Sequence, residues 1–350
     1  MNTKLVFEKE EVKLKSADGT EKVFIMRPFK EGDETGIIEC VREEYGDSYF
    51  KTDFYDPEKV KEDALSDRYR FFVAETDGKI AGMEIFHLFS EDEDYIEPAS
   101  QILKKEYRNY GLSGALVFYT LPLAEKMEPC ALFVHAVTFH KATQTVCEAY
   151  GMTPVGFRLG SFLTEKMNNS YIRQACDKYS EGIMIRAVRK KDAGTIYIPE
   201  EIRDYTDKIY GRLKVKYNIA DSTVAVDITS QIPNHAVLSI KRDEVQRLIM
   251  IKVDEPGKDL VTQMRDLKKS FGNEPYWVIQ IMLNTDTPVI YDQYEELKSE
   301  GFFFSGLKPL CGSHERMYMQ WIGNTELHMD KYVLTQSFEE IRRDIERMIP

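Results

Sequence analysis

Basic residues are the minority charge in this chain. Against 59 aspartates and glutamates stand 47 lysines and arginines, a formal net charge of −12. Binding to nucleic acid needs a clustered basic footprint, so no nucleic-acid partner is expected. Cysteine is sparse: Cys40, Cys130, Cys147, Cys176 and Cys311 are odd in number, scattered, and form no CxxC pair. That excludes a disulfide or zinc framework and reads as reduced thiols. The six histidines make no HExxH or HxxxH pair, so no metal site is expected. No run approaches the roughly 18 apolar residues that span a bilayer. The segment "MNTKLVFEKEEVKLK" has no apolar core of a secretory signal. The expectation is a soluble, cytoplasmic protein with no membrane partner.

What is present is an ordinary globular composition, 43% hydrophobic and 30% charged over 350 residues. That length suits about two domains. The segment 23–29, "VFIMRPF", alternates as a strand, and Ile37, Ile38 and Val41 then recur at helical spacing up to Gly46. "YRFFVAETDGKIAGMEIFHLF" is the strongest hairpin signal, two strands about Asp77-Gly78. "SEDEDYIEPAS" reads as an acidic connection and "QILKKEY" as a strand. A helix from Gly111 to about Met127 follows, its apolar side carrying Leu112, Leu116, Tyr119, Leu123 and Met127. "CALFVHAVTF" is a strand, "HKATQTVCEAYGM" a short helix, and "VGFRLGSFL" and "GIMIRAVRK" two further strands. The predicted class is α/β, of the α+β mixed-sheet kind, with a central strand–helix–strand unit.

The second half repeats this order without evident residue identity. "STVAVDI" and "HAVLSIK" read as strands, "VQRLIMIKVDEPGKDLVTQMRDLKKSFG" as strand, turn and helix, "YWVIQIMLN" as a strand, and "TPVIYDQYEELKSEGF" as a helix. "MYMQWI" closes the set, and "SFEEIRRDIERMI" is a terminal amphipathic helix. The boundary falls near "RKKDAG", giving domains 1–190 and 191–350.

One stretch carries chemistry: "KKEYRNYGLSGALVFY", with Arg108, Gly111, Ser113 and Gly114 at the mouth of a helix. A helix N-terminus offers unpaired backbone N–H groups and a positive dipole end. Small residues there let the N–H groups of Asn109, Tyr110, Gly111, Leu112, Ser113 and Gly114 close on a pyrophosphate, with Arg108 as a charged donor.

Arg108-x-x-Gly111-x-Ser113 resembles the Arg/Gln-x-x-Gly-x-Gly/Ala motif of the GCN5-related N-acetyltransferases (GNAT). Ser113 is a small departure from it. "HKATQTVCEAYGM" resembles that family's fourth-helix motif, with His140, Thr143, Cys147 and Met152 at the positions usually Asn, Ala, Tyr and Phe. "IMRPFKEGDETGI" is similar to its entry strand and helix. The resemblance covers roughly 20–190. It implies acetyl-CoA as cosubstrate, with Gln101, Ile102 and Leu103 pairing with the pantetheine and His140 beside the cofactor.

It also implies an acid and a base. His135 stands where many relatives carry a glutamate base, and a neutral imidazole is a reasonable base near pH 7; the alternative is a strand histidine satisfying a backbone group. Cys147 replaces the tyrosine acid, with Tyr150 as its rival three residues on; the alternative for Cys147 is a small buried residue. Glu84 and Glu97 are further candidates for a base acting through water, or solvated strand carboxylates. Tyr45, Tyr49 and Tyr55 are candidates for the acceptor pocket or for core. The run Glu91-Asp92-Glu93-Asp94 is better read as a solvated loop than as an amine site.

In the second half the corresponding mouth reads "IKVDEPGKDLVTQM". Asp254 and Glu255 would repel a pyrophosphate and satisfy the dipole themselves. The expectation is a degenerate GNAT-like domain shaping the acceptor site or an interface. The whole reads as an N-acetyltransferase acting on a small-molecule or peptide amine, with a homodimer as a candidate assembly. The other reading is a non-catalytic acyl-CoA-binding sensor or interaction protein.

Overall fold

The computed structural model describes residues 7–89, 94–166, 176–189, 194–220, 232–271, 274–311 and 314–350. Among the described residues thirteen strands form one sheet. The chain begins with a hairpin, β1 (Glu10–Lys15) and β2 (Glu21–Pro28), then α1 (Glu34–Tyr45) and α2 (Pro57–Leu65). Three antiparallel strands follow: β3 (Tyr69–Thr76), β4 (Lys79–Leu88) and β5 (Tyr95–Leu103). Next come α3 (Leu112–Glu125), β6 (Ala131–Val137), α4 (Ala142–Ala149), β7 (Thr153–Leu163) and β8 (Lys178–Ala187). The two-residue strands β9 (Thr195–Ile196) and β10 (Asn218–Ile219) flank α5 (Arg203–Leu213) and pair with each other.

The later elements are β11 (Val237–Asp243), β12 (Leu248–Glu255), α6 (Leu260–Phe271), β13 (Val278–Asn284), α7 (Ile290–Ser299), β14 (Phe303–Cys311), β15 (His314–Ile322) and α8 (Gln336–Glu346). Strand order across the large sheet is β1-β2-β3-β4-β5-β6-β8-β7-β14-β15-β13-β12-β11. Read outward from the middle, β7-β8-β6-β5-β4 on one side matches β14-β15-β13-β12-β11 on the other. The connecting helices occupy equivalent places, and β5–β6 and β12–β13 are the parallel pairs.

The two series meet where β7 touches β14, at Gly156 opposite Gly306. Each glycine sits at a bulge, and a Cβ on Gly156 would come within 2.4 Å of the Gly306 Cα. Side chains extend the seam. Gln320 both donates to and accepts from the Leu159 backbone, at 2.9 Å each way, as a neighbouring strand would. Lys178, fully buried, donates to the carbonyls of Gln246, Arg247 and Tyr276 at 2.7, 3.1 and 3.1 Å.

Alternation along β3 shows why helices cover both faces. Phe71 and Val73 pack with Ile37, Val41 and Val60 from α1 and α2, whereas Phe72 and Ala74 join the cluster of Leu112 and Leu116 from α3. Several expectations shift. The strand read as starting at Gln101 begins at Tyr95, because Pro98 and the acidic lead-in disguise it, and Lys105–Tyr110 is a 3-10 turn. β1 and β14 were not anticipated as strands. Glu91–Glu93, the "STVAVDI" segment and the proposed boundary at 190–192 lie outside the described residues. No helix among the described residues is long and apolar enough to cross a membrane.

Candidate functional site

β5 and β6 pair only at Tyr95–Ala131 and Ile96–Leu132, then part. The wedge from Glu97 to Leu103 opens into a cavity of about 830 Å³. One end of it faces α3. Gly111 caps that helix with φ +73°, and no side chain caps its first turn. A Cβ at Gly111 or at Gly114 would meet nothing within 4 Å. Unpaired N–H groups at the helix mouth therefore front open space, which is the condition a pyrophosphate needs. Ser113 fits without blocking it, because its hydroxyl donates to Gln101 Oε1 at 2.5 Å while Gln101 Nε2 donates to the Ser113 carbonyl at 3.2 Å.

Arg108 departs from its expected role. Its guanidinium donates to the Leu103 carbonyl at 3.1 and 3.2 Å and pairs with Glu44, so it braces the turn between β5 and α3. Its charge is balanced by that carboxylate. Ile102 and Leu103 line the cavity, each also held in core. Asn109 is exposed, Tyr110 packs edge-on against Phe24 and Leu112 is buried, so these three side chains turn away from the wedge. His140 faces the cavity, burial lowering its pKa, and its Nδ1 accepts from the Ala142 backbone.

Deeper in the wedge, Glu97 and His135 meet. His135 Nδ1 lies 2.5 Å from Glu97 Oε1, and His87 Nδ1 lies 3.7 Å from the other oxygen. Burial opposes the Glu97 charge, but the two imidazoles outweigh it and hold the carboxyl well below its usual range. An ionised Glu97 accepts from Nδ1–H, which leaves the lone pair of His135 on Nε2. Arg158 Nη1 is 3.4 Å from that nitrogen. The pair was not anticipated, although both members were named singly.

Glu84 sits at a bulge in β4, 3% exposed, accepting from Thr120 Oγ1 at 2.7 Å. Burial raises its pKa to about 7. Cys147 lines the cavity as a buried thiol whose pKa burial pushes up to about 12. Tyr150 does not share its face. The ring packs against Phe118 and the Arg186 guanidinium, 5.5 and 5.0 Å away, outside the cavity lining. Tyr45 and Tyr49 form part of the wall, with Tyr49 donating to Ser100 at 2.8 Å, whereas Tyr55 stands behind it as acceptor from the Tyr49 N–H.

The far wall comes from the second half: Lys241, Met250, Gln280 and Lys308 line the same cavity. Arg158 reaches across, donating to Gln280 Oε1 and to Met250 Sδ, each at 3.1 Å. No spacing signal marks these residues in the sequence, since each pairing spans many tens of positions.

The parallel strands of the second half stay together for longer. β12 and β13 stay paired over five positions, Leu248–Val278 to Lys252–Met282. At the mouth of α6 a Cβ on Gly257 would lie 2.1 Å from the Ala236 nitrogen. Beside that turn Asp259 accepts from Ala236 N–H at 2.8 Å and His235 Nδ1 at 2.9 Å, which ties the mouth of α6 to the segment before β11. Asp254 is taken up by Ser239 and Lys252. Among the described residues no group of three or more His, Cys, Asp or Glu is placed to hold a metal ion.

No protein-family model matches the chain, and no curated protein matches it. Among solved structures it is similar to the ribosomal-protein-S18-alanine N-acetyltransferase of Escherichia coli, at 14% identity and TM-score 0.38, over 48% of this chain and 96% of that one. The spermidine/spermine N-acetyltransferase of Vibrio cholerae aligns at 16% identity and TM-score 0.39, over 48% and 94%. An N-acetyltransferase of Staphylococcus aureus Mu50 aligns at 14% identity and TM-score 0.38, over 47% and 99%. All three neighbours are N-acetyltransferases, and each is matched by about half of this chain.

Proposed function

We propose that the chain is an acyl-CoA-dependent N-acyltransferase, moving an acetyl group from acetyl-CoA to an amine by direct attack. One observation carries the reading. The parted β5–β6 wedge has an uncapped, unobstructed helix mouth at one end and the Glu97–His135 pair further in. Leu112, Ser113 and Gly114 offer backbone N–H groups to the pyrophosphate, and the unpaired edge of β5 from Gln101 to Leu103 offers main-chain groups to the pantetheine. Acetyl-CoA supplies the activated carbonyl.

Glu97 orients His135 so that Nε2 takes a proton from the incoming amine. The freed lone pair then forms the N–C bond as the C–S bond breaks, and the proton left over on the new amide nitrogen passes to solvent in the wedge. Cys147 is a poor donor to the departing thiolate, because a thiol at about 12 is a weaker acid than an ordinary thiol near 8.5. Solvent in the wedge supplies that proton. The second half, read as a degenerate GNAT-like domain, contributes the far wall rather than a second cofactor site.

The test is release of free thiol from acetyl-CoA against a panel of amines. Turnover that is lost in His135→Ala supports the reading. Tight coenzyme A binding without turnover by any amine would instead establish a non-catalytic acyl-CoA-binding protein.

A further inference from the structure

The far wall of the cavity holds a polar row that the transfer step does not use. Lys241 pairs with Met250 across β11 and β12, and Met250 pairs with Gln280 across β12 and β13. Directly opposed residues place their side chains on one face. At a strand spacing of ~4.8 Å, Lys241 and Gln280 start about 10 Å apart, within reach of one small ligand group between a lysine and an amide. Gln280 is 3% exposed, and its Nε2 is buried without a hydrogen-bond partner. Its other head atom, Oε1, is occupied by Arg158.

A buried donor left unpaired is costly, so a site that keeps one is built for an acceptor atom. Across the cavity, the Lys51 ammonium is held by the Ser100 hydroxyl, 3.3 Å away, and by the faces of Phe54 and Tyr69. Neither Lys51 nor Lys241 forms an ion pair among the described residues. Burial lowers the Lys51 pKa and the Lys241 charge lowers it further, against the opposing pull of Glu97 and Asp63. Two ammonium groups from opposite halves thus face one cavity, and an anion between them would relieve their repulsion.

We propose that the acceptor is an amino carboxylate, whose carboxylate docks on the Gln280 amide with Lys241 and Lys51 while its amine lies at His135 Nε2. This rests on the acyltransferase reading of the same cavity. The geometry bounds the molecule. One guanidinium, that of Arg158, reaches both His135 Nε2 at 3.4 Å and Gln280 Oε1 at 3.1 Å. The amine and the carboxylate are therefore separated by only a few bonds, as in an α-amino acid or a short ω-amino acid.

The experiment measures binding and turnover separately. Glycine, β-alanine and 4-aminobutyrate are compared with ethylamine, propylamine and phosphoethanolamine, by calorimetry on the full chain with desulfo-coenzyme A present and by thiol release. Carboxylate-bearing amines are expected to bind, and the matched alkylamines to bind about tenfold or more weaker, as loss of a charge-assisted contact implies. Exposed Lys241→Glu should raise KM about tenfold and leave kcat within about twofold, and Gln280→Leu should do the same. Binding of amino carboxylates without turnover overturns the enzyme reading and the acceptor assignment with it, leaving only a carboxylate-binding site at Gln280. Turnover of alkylamines with no preference for the carboxylate overturns this inference and upholds the enzyme. Preference for phosphoethanolamine overturns it in favour of a phosphate.

Discussion

His135 Nδ1 and Glu97 Oε1 stand 2.5 Å apart, on neighbouring strands that have just ceased to pair. The carboxylate fixes which ring nitrogen carries the proton, and therefore which one faces the cavity without it. Glu97→Gln keeps the shape but presents an amide to the ring. Steady-state rates should fall about 100-fold for both Glu97→Gln and His135→Ala, with the double variant no worse than either alone, since the two act as a unit. Independent, multiplying losses would refute the pairing.

At the helix mouth the test is a carboxylate in place of space. Gly114→Glu adds a side chain where a Cβ meets nothing, so the fold should survive while the pyrophosphate is repelled. Coenzyme A at 100 times its Kd should stabilise the parent chain by about 2.7 kcal/mol. The variant should show no such gain in a thermal melt. An unchanged shift would mean that the cofactor sits elsewhere.

Glu84 gives a pH signature. Burial lifts its folded pKa to about 7, above the ordinary 4.5 of a glutamate. The folded state therefore holds its proton more tightly, and stability from this group is complete below about 4.5 and lost as pH rises through 7. The size is about 3 kcal/mol across that window. Urea midpoints of Glu84→Gln should vary less with pH between 4.5 and 7 than those of the parent chain. Parallel curves would show that Glu84 is not held as a buried acid.

Lys178 is a pin between the halves. Burial drives its pKa down to about 7, while three carbonyls take its donors. Lys178→Met fills similar volume but strands those carbonyls, so unfolding free energy should drop by about 3 kcal/mol or more. A neutral result by urea denaturation would mean that the carbonyls find other partners.

Much of the first half was legible because its signals are local. Asp77-Gly78 between alternating strands, and Gly111 before the apolar residues of α3, announce themselves within a dozen positions. The start of β5 was hidden by Pro98 and its acidic lead-in. Arg108 was legible as a motif residue but not in its contact, because Glu44 lies 64 positions earlier. Tyr150 was misread through helical spacing: it lies just past α4 and turns toward Arg186. Arg158, Gln280 and Lys241 left no trace, since what joins them is the folding of one half onto the other. The close approach of Gly257 to Ala236 at the mouth of α6 left no local signal either, since the two lie on separate segments.

The contact of Gly156 with Gly306 has a mechanical consequence. Backbone this close, flanked by Gln320 on Leu159 and by Lys178, behaves as a weld rather than a hinge. Opening the cavity by swinging the halves apart would tear hydrogen bonds along a continuous sheet, so traffic must pass through the mouth of the wedge. The weld also makes the second half indispensable to the first. Cut away, it would leave β7 as a bare sheet edge, with the unpaired N–H and C=O groups that invite aggregation.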